Sequence, residues 1–401
     1  NLSEALVKAY QTNPLLNAER ARQRATDENV PQALAGYRPQ IIASLSAGLQ
    51  SVRNTLVDNT LQTATLKPWT IGVTVNQNLF DGFRTSHSVR AAELQVRAGR
   101  EALRNVGQGV LLDAITAFTN VLANQALVEA QRSNVTFLRE TLNITQRRLS
   151  AGDVTPTDTA QAEARLNRGL ADLNAAEVNL AVSQATYAQV IGQSPARLNA
   201  PDPIDRLLPG NREDAIAQAQ KQHPAVMAAS FDVDVASTAV KIAEGGLLPT
   251  LTLQGSASRA NDTDTTLGTK RTDQASIGGQ LVAPVYDGGV AASQTRQAKQ
   301  VVTQSRQVLD QIRNQSRTAV VGAWAANVGA KVAVSAAESE VRAATVALDG
   351  VRREAQGGQR TTVDVLNAQQ DLVAAKARLI GAQRDRVVAE VTLERVQGTL
   401  R

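Results

Sequence analysis

Leu79-Phe80-Asp81-Gly82-Phe83 and Val285-Tyr286-Asp287-Gly288-Gly289 are two versions of one phrase, 206 residues apart. Upstream, Asn13-Pro14 recurs as His223-Pro224, and Arg38-Pro39 as Leu248-Pro249, both at a spacing of 210. Downstream, Gly152-Asp153-Val154-Thr155 recurs as Gly358-Gln359-Arg360-Thr361, and Asp158 falls on Asp364, again at 206. The four-residue difference lies between Pro39 and Asp81, where the copies differ by a loop. One architectural unit is therefore used twice. The first copy covers 1–200, with a β-hairpin at 38–80 and a long helical hairpin at 84–193. The second covers 212–401, with a β-hairpin at 249–286 and a helical hairpin at 289–400. Residues 201–211 read as the linker, in a stretch carrying Pro195, Pro201, Pro203 and Pro209. Each copy opens with a single helix.

The strands alternate. Ile41, Ala43, Leu45, Ala47 and Leu49 point one way, and Ser44, Ser46, Gly48 and Gln50 the other. Trp69, Ile71, Val73 and Val75 alternate with Thr70, Gly72, Thr74 and Asn76. Leu251, Leu253 and Ala257, then Ile277, Gly279 and Leu281, repeat the pattern in the second copy. Period two over about ten residues fits a strand with one apolar face, and it is the length of a tilted membrane-spanning strand. The connections at 53–67 and 259–273 are polar loops.

The helices carry a different period. No proline interrupts 85–150 or 289–357. A helix of ~65 residues is about 100 Å long. Apolar residues recur every seven: Val89, Val96, Leu103, Val110, Ala117; then Leu166, Leu173, Leu180; then Val365, Leu372, Leu379 beside Leu366, Val373, Ile380, Val387. Sustained heptads mean coiled-coil packing, and two adjacent seams on one helix predict neighbours on both sides. At the tips, Gly152 and Gly358 end one helix. Thr155, with Pro156 and Asp158, begins the next, as do Thr361 or Thr362 with Asp364.

Composition narrows the function. There is no cysteine, hence no disulfide or thiol chemistry, and no apolar run reaches transmembrane-helix length. The 42 basic and 37 acidic residues are interspersed, with no basic run or aromatic platform for nucleic acid. His87 and His223 have no companion ligands at metal spacing, no glycine-rich loop cradles a phosphate, and no cofactor is expected. An enzyme is not indicated.

The strands force the architecture. Four strands cannot close a barrel, and an open edge cannot face lipid. Three chains of four strands each give 12, wide enough for a water-filled lumen lined by the Ser, Thr, Asn and Gln of the polar face. Tyr37, Phe80 and Tyr286 at one end and Trp69 at the other fit an interfacial girdle. The reading is a mixed α/β membrane protein: a transmembrane β-barrel with four strands per chain, joined to a long α-helical coiled-coil tunnel. A soluble periplasmic coiled-coil scaffold or an adaptor protein is the alternative.

In these features the chain resembles the TolC-type outer membrane channel proteins of tripartite efflux and type I secretion. The resemblance rests on the duplicated plan, Asn13-Pro14, Tyr37-Arg38-Pro39, the two Asp-Gly phrases, and Arg360-Thr361-Thr362-Val363-Asp364-Val365-Leu366-Asn367-Ala368. It implies a homotrimer in the outer membrane with its helical tunnel in the periplasm. Its partners would be outer membrane lipid, a periplasmic adaptor (membrane fusion) protein and an inner-membrane ABC or RND transporter. It also implies a gate at the helix tips. Arg360 matches the family's latch arginine, and Thr157 and Asp158 its partners. Asp364 matches an acidic ring at the pore constriction. Ala355 and Asn367 stand where a latch tyrosine and a second ring aspartate are found in the family. Plain helix capping accounts equally for Thr157 and Asp158, first-turn compensation of the helix dipole is the alternative for Asp364, and a solvated turn for Arg360.

Overall fold

The computed structural model describes residues 1–55, 60–196, 198–199, 209–261 and 271–400. The chain forms two compact units that cut across the sequence repeat: 1–22, 100–227 and 310–401 in one, 23–99 and 228–309 in the other. The loop segments 56–59 and 262–270, and most of the linker expected at 201–211, including Pro201 and Pro203, lie outside the described residues.

In chain order the first copy contains α1 (Leu2–Thr12), α2 (Pro14–Asp27), α3 (Asn29–Leu34), β1 (Gln40–Ala47), β2 (Gln50–Thr55), β3 (Leu61–Leu66), β4 (Trp69–Phe80), α4 (Arg84–Ser150) and α5 (Pro156–Ile191). The second contains α6 (Arg212–Gln222), α7 (Pro224–Gly245), β5 (Thr250–Asn261), β6 (Arg271–Val282), α8 (Val290–Gln356) and α9 (Thr362–Gln397). The single opening helix expected in each copy is three helices in the first copy and two in the second, broken in both at the Asn-Pro or His-Pro dipeptide. Proline at position 14 or 224 has no N–H to continue the first helix, but it suits the first turn of the next. Asn13 Oδ1 accepts from the N–H of Leu15 and Leu16, at 3.0 and 3.3 Å. His223 Nδ1 accepts from Ala225 N–H at 3.2 Å. The recurring dipeptide is thus a helix-start device, and it accounts for His223 without a metal.

The unit containing the strands holds a four-stranded antiparallel sheet ordered β1-β4-β5-β6. Rows across it include Leu45–Ile71–Arg259–Asp273 and Ile41–Val75–Gly255–Ile277 on one face, and Ile42–Thr74–Ser256–Ser276 on the other. The polar loop expected at 53–67 is largely a ribbon. Strands β2 and β3 pair from Gln50↔Leu66 to Thr55↔Leu61, after a break in the alternation at Gly48-Leu49. Thr and Val supply the strand propensity that polarity concealed.

Each hairpin hands over to a long helix through its Asp-Gly pair. Asp81 Oδ2 accepts from Thr85 N–H (2.7 Å) and Thr85 Oγ1 (2.6 Å). Asp287 accepts from Gly289 N–H and Ala291 N–H, at 2.8 and 2.7 Å. Gly82 and Gly288 both take a positive φ, 70° and 69°. Phe83 takes φ 64° where the second copy has Gly289, and its ring meets Phe80 edge-on at 5.2 Å.

In the other unit the most deeply buried seams are built from small residues. One buried heptad of α5 is Ala162, Gly169, Ala176, Ser183, with Tyr187 and Ile191 buried beyond it. The expected Leu166, Leu173, Leu180 seam is half-buried beside it. A methyl group on Gly169 would come within 2.7 Å of Leu138 Cδ1 on α4, so the missing side chain is the hole for that knob. Phe118 is fully buried among Ala5, Ala9, Val121 and Tyr187, where α1 crosses the helical hairpin. Small, uncharged seams also overturn one expectation. Windows in α4 and α8 are long and apolar enough to cross a membrane by length and composition. Asp113 is the only charge between Arg104 and Glu129, and Lys331 the only one between Arg317 and Glu338.

The two Asp-Gly turns make a matched pair of tests. A methyl group on Gly82 would lie 2.3 Å from Gly245 O, whereas Gly288 has nothing within 4 Å. Gly288→Ala should cost only the left-handed backbone penalty, roughly 1–2 kcal/mol. Gly82→Ala should lower the thermal midpoint distinctly further; equal midpoints would mean the Gly245 approach is slack.

Candidate functional site at the helix tips

The two helical hairpins turn at Ala151–Thr155 and Gly357–Thr361 and are built alike. Thr155 Oγ1 accepts from Asp158 N–H at 3.3 Å, and Asp158 Oδ2 accepts from Thr155 N–H at 2.9 Å and Thr155 Oγ1 at 2.8 Å. Thr361 and Asp364 repeat this capping box with the same atoms. These bonds to the ionised form hold both carboxyls below their usual value of 3.8, the backbone bond to Thr155 or Thr361 being the largest cause.

The residues named from sequence fall as follows. Thr157 lies exposed in the first turn of α5. Asp158 and Asp364 are occupied as caps, each reaching its own tip. Arg360 donates from Nε to Glu354 Oε2 at 2.9 Å, six residues back on the same tip. Its bond to Thr157 or Asp158 is not made within the chain. Asn367 is exposed and has a partner that sequence reasoning missed: Arg165 on α5 donates from Nη2 to Asn367 Oδ1 at 2.9 Å and from Nη1 to Gln370 Oε1. Beneath this clasp, Gln369 Nε2 donates to Asn134 Oδ1 at 3.1 Å, both side chains being buried. Two layers of polar contact thus tie α9 to the first hairpin. The signal in the sequence is the interval: Arg165 is seven residues past Asp158, on the same face of α5.

No group of three or more His, Cys, Asp or Glu side chains that could hold a metal occurs among the described residues. Burial first, and then Arg395 and Arg104, lower the His223 pKa below its usual 6.5, which favours the imidazole form that accepts at the helix start.

One unit thus holds a sheet with an exposed, largely apolar face, and the other holds paired helical hairpins whose tips are capped and cross-tied; these are the parts of an outer membrane channel protein. The comparisons agree. The outer membrane efflux protein family matches residues 5–193 and 215–399, and the chain belongs to it. Outer membrane efflux protein BepC of Brucella suis is 40% identical over 401 residues, 100% of this chain and 85% of the relative. Outer membrane protein TolC of Vibrio cholerae is 29% identical, covering 100% and 91%. The solved structure of the outer membrane protein VceC from Vibrio cholerae has the same fold: TM-score 0.82, 18% identity, covering 99% of this chain and 96% of that one. The family transports rather than catalyses, and membership decides against the soluble scaffold or adaptor alternative.

Because both capping carboxyls are depressed, their contribution is complete above 3.8 and is lost as pH falls through the lower folded value. Amide protection factors at 155, 157 and 158 and at 361–364 should fall on acidification below 3.8. Asp158→Asn and Asp364→Asn should each abolish that acid step at its own tip. An acid step that survives the substitution would place its origin elsewhere.

Proposed function

We propose that three copies of the chain pool their four-stranded sheets into one barrel of twelve strands and their helices into one tunnel, the exit duct of an efflux pump or type I secretion system. The observation that carries this reading is the bare apolar sheet face. Ile41, Leu45, Ile71, Ile277 and Leu281 are 66%, 73%, 50%, 80% and 66% exposed on one face, beside two sheet edges, β1 and β6. Lipid covers such a face, and neighbouring chains pair such edges. A second exposed stripe, Val321, Val328 and Val332 on α8, fits helix packing between chains. A periplasmic adaptor and an inner-membrane ABC or RND transporter complete the duct and supply energy. Mass measurement in detergent should give a trimer; a stable monomer with intact β-structure would sink the proposal.

In this assembly Arg360 reaches a neighbouring chain's Thr157 and Asp158, because its own tip offers it only Glu354. The latch then competes with Glu354 and is of moderate strength. Arg360→Ser should raise single-channel conductance; unchanged conductance in an intact, inserted trimer would make Arg360 a turn residue.

Threefold symmetry places Asp364 of each chain around one axis. A carboxylate ring concentrates cations. Asn367 adds no charge, and Arg165 lies against it with a guanidinium, so the preference should be modest and readily screened by salt. Asp364→Asn should shift the reversal potential toward zero selectivity. Anion preference in the parent, or no shift, would remove Asp364 from the constriction.

A further inference from the structure

Arg259, Arg271 and Asp273 are the only charged residues in the four-stranded sheet. The sheet has a polar face, rich in Ser, Thr, Asn and Gln, that would accept charge readily. All three lie on the other face. The register puts Arg259 and Asp273 in the row of Leu45 and Ile71, and Arg271 in the row of Ala47, Trp69 and Asn261. These are the rows at the end of the strands away from the long helices. Below them the same face is uncharged, through Ala257 and Ala275, Gly255 and Ile277, to Leu251 and Leu281.

Height follows from the strand. Leu281 to Asp273 is eight residues, about 26 Å along a strand and about 20 Å across a membrane after tilt. The charged rows therefore stand at the far rim of the apolar band, at headgroup level, alongside Trp69. Exposed aromatics, Tyr37, Phe83 and Tyr286, mark the near rim.

The local chemistry favours an anion. Arg259 donates to Asp273 Oδ1 through Nε at 2.6 Å and to Oδ2 through Nη2 at 3.4 Å. Arg271 donates to Oδ2 through Nε at 2.9 Å and also through Nη2. Two guanidinium groups share one carboxylate, leaving an excess of positive charge. The three side chains are about half exposed (49%, 54% and 50%) on a face that meets lipid, not water. Guanidinium forks match phosphate oxygens bidentately.

We propose that this cluster is a binding site for the phosphate of an anionic lipid headgroup in the outer leaflet, with Asp273 orienting the two arginines. The proposal rests on the reading that the apolar sheet face contacts lipid.

The test uses the full chain, purified in detergent and analysed by native mass spectrometry after incubation with diphosphorylated lipid A, with phosphatidylcholine, or with inorganic phosphate. The parent should retain lipid A in preference to phosphatidylcholine, and inorganic phosphate should not displace it. The double variant Arg259→Gln/Arg271→Gln should retain roughly tenfold less lipid A. Asp273→Asn, which frees both guanidinium groups, should retain more. A purely structural role for the trio predicts the opposite sign for Asp273→Asn, and that variant decides the matter if the double variant fails to fold. Unchanged retention in the double variant, reduced retention in Asp273→Asn, equal retention of phosphatidylcholine, or displacement by inorganic phosphate would each overturn the site. Channel conductance in a planar bilayer is recorded in parallel. Its absence in the parent would count against the channel reading, whereas its presence without lipid A retention counts against this site alone.

Discussion

A β-strand edge in hydrocarbon has nowhere to send its N–H and C=O groups, and each one left unpaired costs several kcal/mol. In the proposed assembly this constraint governs the sheet. The sheet ends at β1 and β6, and its apolar face has no helix of its own to cover it. Alone, such a sheet would be an aggregation template. The helices are shaped by a related shortage: seams of Ala, Gly and Ser bury little apolar area, so each helix needs company on more than one side. The proposed trimer answers both demands with one symmetry axis, and it sets the tips of all the hairpins facing that axis.

Much of this was legible from spacing. The repeat interval exposed the duplicated plan, and the Asp-Gly phrases gave the strand-to-helix turns at Asp81 and Asp287. The Thr-Asp pairs at 155 and 158, and at 361 and 364, marked the helix starts correctly. Other features escaped for definite reasons. The β2–β3 ribbon gathers Val52, Ala64 and Leu66 on one face, but Gln50, Arg53 and Asn54 break up the pattern in β2, so period two gives a weak hydrophobic signal there. The buried seam of α5 was masked by the larger leucines beside it, because heptad reading favours bulk over closeness of approach.

At the tips, sequence identified the capping residues but not how Arg360 is used. A bond to Glu354, six residues back across a turn, follows from the turn's backbone and not from any helical period. The Arg165–Asn367 and Asn134–Gln369 contacts join segments more than 200 residues apart, and one sequence offers no means of pairing them. A buried polar pair such as Asn134–Gln369 sets register in coiled coils more than it adds stability. Both contacts belong to the alignment of the two hairpins.

The glycine and alanine seam of α5 also inverts the usual pattern of mutational damage. A leucine-filled core fails when side chains are deleted, because cavities open. Here the hole at Gly169 already holds Leu138, whose Cδ1 lies 2.7 Å from where a Cβ would stand, so one more carbon makes that side chain shift. Loss of bulk along the half-buried leucines should be absorbed more readily than an added methyl at Gly169, which must displace the end of Leu138. Random substitution drifts toward larger residues at such positions simply because nearly every alternative is larger. At Gly169 the genetic hazard is therefore growth, not loss.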